Sequence, residues 1–205
     1  MTHPIAVLTG DLIASTALPR ARLENAIQAL AQAAQQISDW QGGASPRFTR
    51  SRGDGWQIYL VHPEMALRAA LYLRAALRIG GKDLSTRVSI ATGPATLPDA
   101  PDLNHAGGAA FVASGRGLDG MTGPVTMTHA SGGALAAATC LADHISQSWT
   151  SAQARALLHM LPPTPPTRTE AAAQIGISRQ AVDQALSGAG YAALTEALAL
   201  IETAP

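Results

Sequence analysis

The stretch from residue 47 to 60, Arg-Phe-Thr-Arg-Ser-Arg-Gly-Asp-Gly-Trp-Gln-Ile-Tyr-Leu, sets two short strand-like runs on either side of Gly53-Asp54-Gly55. Such runs joined by a glycine-bracketed residue predict a β-hairpin, which commits the chain to a sheet with antiparallel pairing. Asp54 then stands at the hairpin tip. Glycines on both sides permit positive φ and remove side-chain bulk, so a ligand or a second loop has close access to the carboxylate. A second aspartate, Asp11, follows the apolar run Ile5-Ala-Val-Leu-Thr9 and Gly10, which predicts its place at the carboxyl end of a first strand. Two readings of the pair stand side by side. Arg-Gly-Asp-Gly is ordinary turn chemistry and Asp11 an ordinary cap or turn residue, or two strand-end carboxylates converge on one Mg²⁺.

The periodicity around the hairpin supplies a fold. Pro19 suits the first turn of a helix, and Leu23, Ile27, Leu30, Ala34 and Ile37 recur at helical spacing up to Trp40, with Gly42-Gly43 as the stop. Pro63 opens a second helix in which Leu67, Ala70, Leu71 and Leu77 are expected inside and Arg68, Arg74 and Arg78 outside, closed by Gly80-Gly81. Arg87-Val-Ser-Ile-Ala-Thr92 alternates like a half-buried strand. The order β-α-β-β-α-β is that of the ferredoxin-like split arrangement, an α+β fold with both helices on one face of the sheet. In that arrangement the first strand and the hairpin are neighbours, so Asp11 and Asp54 fall at the same edge.

Beyond Gly93 the sequence predicts a Pro-, Gly- and Asp-rich loop to Ala110, a short helix presenting Arg116, a strand over Val125 to Thr128, and an Ala-rich helix from about Gly133 to Trp149. A short helix over 151–160 cannot continue through Leu161-Pro-Pro-Thr-Pro-Pro166, so a break falls there. Residues 169–186 then place Ala172, Gly176 and Val182 at the offsets of a helix-turn-helix, with Ile175, Ile177 and Leu186 as further inward positions. The chain divides on this reading into an α+β unit over 1–150 and a helix-turn-helix unit over 151–205. Ser178, Arg179 and Gln180 open the second helix of the motif, the part that reaches DNA bases in such motifs. Segment 151–205 nevertheless carries three Arg against four acidic residues, whereas DNA readers usually show a basic face.

Composition removes several function classes. Fourteen basic and fourteen acidic residues give a formal charge of zero, against a protein that coats nucleic acid or a membrane surface. The sequence shows no signal-peptide pattern and no apolar run of transmembrane length, so a cytoplasmic protein is expected. The single cysteine, Cys140, lies in an Ala-rich stretch and is expected to be a small core residue, and the six histidines show no ligand spacing.

Gly10-Asp11-Leu-Ile-Ala-Ser15-Thr16, Phe48 through Arg-Gly-Asp54-Gly, and Arg87-Val-Ser-Ile-Ala-Thr-Gly-Pro94 resemble the landmarks of the class III nucleotide cyclase domain. The whole chain, including Ser114-Gly-Arg-Gly-Leu-Asp119, Trp149-Thr-Ser-Ala-Gln153 and Ile177-Ser-Arg-Gln-Ala-Val182, more closely resembles the bacterial SatD-like family, which joins such a module to a helix-turn-helix. The resemblance implies that Asp11 and Asp54 hold metal, that Arg116 is catalytic, and that Thr16, Arg50, Gly53 and Gly55 lie against a nucleotide. Two positions depart from the cyclase pattern. Val112 stands where cyclases place an Asn four residues before the Arg, and Arg50 stands where they carry a base-selecting Lys, which is more compact.

Three functions follow. The first is a one-component transcriptional regulator, in which a degenerate cyclase-like unit senses a nucleotide and the second unit acts on DNA as a homodimer. The second is a Mg²⁺-dependent cyclase, and the third a non-catalytic interaction protein.

Overall fold

The computed structural model describes residues 4–43, 48–51, 53–98 and 102–204; Arg47 and Arg52 of the hairpin stretch lie outside them. Alternation along β1 (Ile5–Leu12) serves two cores at once. Ala6, Leu8 and Leu12 face one side of the sheet, and Ile5 and Val7 face the other, because successive strand residues point to opposite faces. The first four strands are β1, β2 (Thr49–Ser51), β3 (Gly55–Leu60) and β4 (Thr86–Gly93), with α1 (Arg20–Asp39) and α2 (Ala66–Ile79) as the crossovers. They pair antiparallel in the order β2-β3-β1-β4, which is the split βαββαβ arrangement expected from the sequence.

A fifth strand, β5 (Met127–His129), joins β4 in parallel and makes the sheet mixed. It begins two residues later than the sequence predicts. The helices α1 and α2 cover the face carrying Leu8, Trp56, Ile58 and Ile90. On the opposite face α3 (Ala109–Asp119) packs Ala110 and Phe111 against Ile5 and Val7. It approaches β4 so closely that a Cβ on Gly117 would lie 2.2 Å from the Ser89 hydroxyl.

The first strand runs to Leu12 rather than stopping at Thr9. Gly10 stays in the ladder opposite Trp56 and Val88, and it has room there only because it lacks a side chain: a Cβ would sit 2.4 Å from the Trp56 ring. Gly10 is therefore a packing residue within the strand, not its end.

The three arginines of α2 are buried, contrary to the expectation of an exposed face. Arg68, Arg74 and Arg78 are 7%, 1% and 6% exposed. A single amphipathic stripe describes a helix with one solvent face, but α2 is covered by the sheet on one side and by later helices on the other. These are α4 (Gly133–Gln147), α5 (Ser151–Met160) and α8 (Tyr191–Glu202). Each guanidinium meets a partner from that cover. Arg68 forks onto Glu202 of α8 at 2.6 and 2.7 Å and also donates to the Leu161 carbonyl. Arg74 donates to the Asp143 carboxylate and the Ser146 hydroxyl at 2.7 Å each, and to Thr126 at 2.9 Å. Arg78 donates to the carbonyls of Lys82 and Gln147.

Residues 161–166 contain no helix, and beyond them α6 (Arg168–Ile175) and α7 (Arg179–Gly188) are joined by a three-residue turn with Gly176 at φ 78°. Thr150 and Thr167 close capping boxes with Gln153 and Glu170, and Ser178 caps α7 by accepting from the Ala181 amide, so each helix start satisfies its own free amides. Ala172, Val182 and Leu186 are buried as expected, whereas Ile177 is 40% exposed because it sits on the outside of the turn. Leu157, Leu161, Val182 and Leu198 belong to the same apolar cluster as Leu8 and Leu30, so the stretches before and after residue 150 share one core. Cys140 is exposed rather than buried, on the outer side of α4. No helix among the described residues is long and apolar enough to cross a membrane.

Burial of the Arg74–Asp143 pair sets a measurable requirement. Burial raises the pKa of Asp143, but hydrogen bonds from Thr126 together with the Arg74 charge outweigh it and hold the carboxyl below its ordinary range. Arg74→Ala leaves that carboxylate buried without its counter-charge, and urea denaturation should show a loss of about 3–5 kcal/mol. Arg74→Met with Asp143→Leu should lose much less than Arg74→Ala alone.

Candidate functional site

Pairing of β1 with both neighbours determines what Asp11 meets. It lies opposite Gly55 on β3 and opposite Arg87 on β4, so the end of the first strand and the hairpin tip share one edge of the sheet. Arg87 closes on Asp11 as a fork: Nε donates to Oδ1 at 2.9 Å while Nη2 donates to Oδ2. Paired donation of this kind is stronger and more directional than a single contact. The Asp11 hydrogen bond raises the pKa of Arg87, and the charges of Asp11, Asp54 and Asp119 act in the same direction. One guanidinium thus sits in the field of three carboxylates, Asp119 being the last residue of α3.

The hairpin holds Asp54 at the tip for steric reasons. Gly53 adopts φ 78°, a left-handed conformation that favours glycine, and a Cβ on Gly55 would lie 2.7 Å from the Ser51 hydroxyl and 2.9 Å from its carbonyl. Behind the site a short relay ties the strands together. The Trp56 indole donates to the Thr86 hydroxyl at 2.9 Å, and that hydroxyl donates to the Asp11 carbonyl at 2.6 Å. On the α3 face, Gln57 donates to the Thr9 hydroxyl, which in turn bonds the Ser114 hydroxyl at 2.8 Å.

The remaining sequence-derived residues are dispersed around this edge. Thr16 is exposed in a one-turn 3-10 segment, Ser15–Ala17, entered through Ala14 at φ 54°. A non-glycine residue in that region is strained, and strain of this kind gathers at ligand-binding turns. Arg50 is not free to reach a base: Nε donates to the Gly53 carbonyl at 2.6 Å and Nη1 to Glu24 at 2.7 Å. That bond, from Arg50, holds the Glu24 carboxyl below its usual range. Arg116 is exposed on α3, and Val112, one turn earlier, is 51% exposed. Ser178, Arg179 and Gln180 are exposed at the start of α7. The Arg168 guanidinium there is 2.7 Å from Asp183, and that of Arg179 3.8 Å from it, so both positive charges are partly neutralised.

Arg87 and Asp119 carry the site's electrostatics, yet motif reading gives them no role. The signal for Arg87 was present: β4 pairs antiparallel with β1, so an arginine at the start of one must face an aspartate at the end of the other. Asp119 depends on where α3 crosses the sheet, which no local pattern encodes.

A divalent cation suits this donor set in part. Two carboxylates on one edge are what a hard cation needs when waters and phosphate oxygens complete its shell, and a carboxylate keeps lone pairs beyond those an arginine fork uses. Among the described residues no group of three or more His, Cys, Asp or Glu is arranged to hold a metal, so the remaining ligands would come from the bound molecule. Arg87 and the cation then compete for Asp11. Arg87→Met should bind Mn²⁺ about tenfold more tightly than the wild type in a spin-resonance titration, because a cation a few ångströms away has been removed. Adding Asp54→Asn to that variant should abolish the gain.

No family model matches the chain, and no curated protein matches it. Among solved structures it is similar to one described as the guanylyl cyclase Cya2, at 18% sequence identity over 65% of this chain and 82% of that one, with a TM-score of 0.46. At that level the fold assignment stands on the strand order alone.

Proposed function

We propose that this chain binds a nucleotide through its phosphates at the Asp11–Asp54–Arg87 edge, and that it senses the ligand rather than turning it over efficiently. The observation that carries this reading is the arginine fork on Asp11, whose partner on β3 is Gly55, the residue after Asp54. Such an edge offers both a guanidinium, suited to phosphate oxygens, and a carboxylate pair, suited to Mg²⁺. Asp11 and Asp54 would hold the cation, whose chemistry when bound is to neutralise phosphate charge. Arg87, released from Asp11, would orient the phosphate chain, and the Ala14–Thr16 turn lies beside the end of β1 where that chain would enter. The engagement of Arg50 by Glu24 argues against a base-selecting role for it.

Turnover is disfavoured by what α3 presents. Cyclisation places charge on the α-phosphate oxygens in the transition state, and losing one donor there commonly costs about 10²- to 10³-fold. Val112 supplies no donor. A cyclase is nonetheless the second reading, favoured by Arg116, whose exposed side chain has no ion pair with the described residues. In thermal-shift titrations of the full chain, a nucleoside triphosphate with Mg²⁺ at a hundred times its Kd should add about 2.7 kcal/mol of stability. Asp11→Asn and Asp54→Asn should each remove the Mg²⁺-dependent part, and product from any of the four triphosphates should stay at the level of the Asp54→Asn blank. Robust cyclic product in the wild type alone would establish the enzyme instead.

The regulatory output we assign to α6 and α7, with DNA as the partner of a homodimer. Its support is the exposure of Gly176 through Gln180 at the turn and the start of α7, the geometry by which such pairs enter a major groove. With Arg168 and Arg179 held by Asp183, affinity should be low and fall steeply with salt. Mobility shifts on fragments of the protein's own promoter at low salt should show retardation that Arg179→Ala with Gln180→Ala abolishes. Absence of any shift for the wild type would remove the DNA reading while leaving the nucleotide site standing.

A further inference from the structure

A cavity of about 600 Å³ lies away from the Asp11 edge, between the sheet and the last helix. Thr92 and His129 line it from the strands, Leu135 and Ala138 from α4, and Ala197 and Leu200 from α8. Its size falls within the range of small-molecule sites, which are typically apolar with a few placed polar groups. Leu200, at its wall, is 70% exposed, a large apolar side chain left in water where a ligand would cover it.

His129 is the polar group that points to an occupant. It is only 5% exposed, and its Nδ1 accepts from the Ser131 amide at 3.2 Å. An accepting Nδ1 carries no proton, so in the neutral ring the proton is on Nε2. Burial lowers the pKa of this ring, which keeps it neutral. No described residue accepts from Nε2; the atom is not sealed from solvent, and because His129 lines the cavity its N–H is free to donate to an acceptor there. Glu64 also lines the cavity, so an anionic ligand would meet a like charge.

We infer that this cavity is a binding site for an uncharged, largely apolar small molecule carrying a carbonyl oxygen, which accepts the Nε2 proton of His129. The molecule contacts the sheet unit and α8 together. Because α8 is also clasped to α2 by Arg68 and Glu202, its occupancy tightens the attachment of the C-terminal helices. The site is separate from the phosphate-binding edge and does not depend on it.

The test uses two fluorescent probes on the full chain: prodan, a neutral naphthalene ketone, and dimethylaminonaphthalene, which lacks the ketone. Prodan should bind saturably with blue-shifted emission. Ala138→Trp and Ala197→Trp, which fill the cavity from opposite walls, should each abolish that binding, their unfolding transitions confirming that they are folded. His129→Phe should weaken prodan about three- to tenfold, the effect of one neutral hydrogen bond, and leave the ketone-free probe unchanged. Unsaturable prodan binding, or saturable binding that either folded tryptophan variant retains, overturns the site. Equal weakening of both probes by His129→Phe overturns the role given to His129.

Discussion

Placing an arginine where water cannot reach it constrains every element around it. Arg74, at the middle of α2, requires a carboxylate from α4, a hydroxyl from the same helix and oxygens from the residue before β5 to converge on it. None of these groups is close to it in sequence. The cost of burying a guanidinium is offset only when all of them are present, so α4 and the fifth strand have one place against α2 that satisfies the charge. Arg68 and Arg78 repeat the device at the two ends of the helix, one holding α8 and the other the end of α4. Apolar contact alone fixes such positions loosely. Three directional charges spread along one helix fix them in register.

The same arginines show where sequence reading reaches its limit. Period-2 and period-3.6 patterns located the hairpin, both crossover helices and the strand order, because each is a local property with one solvent side. Those patterns assign charge to the solvent, and α2 has almost none. Arg68, Arg74 and Arg78 were misplaced for that reason, and Cys140 for the converse one: an Ala-rich helix reads as buried whichever way it is turned. The nearness of Asp11 to the hairpin tip was legible because a hairpin beside a central strand leaves little freedom. The fork from Arg87 needed only the register of the neighbouring strand, whereas the contribution of Asp119 needed the crossing of α3 over the sheet. His129 drew no reading from spacing, since its significance lies in which helices surround it.

Two candidate sites with different chemistry thus lie at opposite ends of one sheet. At one end the strand ends, the hairpin tip and the end of α3 bring Asp11, Asp54 and Asp119 around Arg87, an environment for a charged, hydrated ligand. The other end, roofed by α4 and α8, is largely apolar, with Thr92, His129 and Glu64 as the polar groups on its wall. Both are built on the strands that carry the core, so a ligand at either end would be held by strands packed on both faces. The helices beyond residue 150 touch that part through α2 and α8, the route by which binding would be felt at α7.

The relay from Trp56 through the Thr86 hydroxyl to the Asp11 carbonyl gives the molecule an optical property. The indole is fully buried beneath Gly10, with its N–H one hydroxyl removed from the backbone of the acidic edge. Any displacement of β1 relative to β4 must stretch or rotate that hydroxyl and so alter the polarity that the indole senses. The chain therefore carries, beside Trp40 and Trp149, a native fluorophore linked to that edge, so the share of its ultraviolet emission that comes from Trp56 is sensitive to strand movement there.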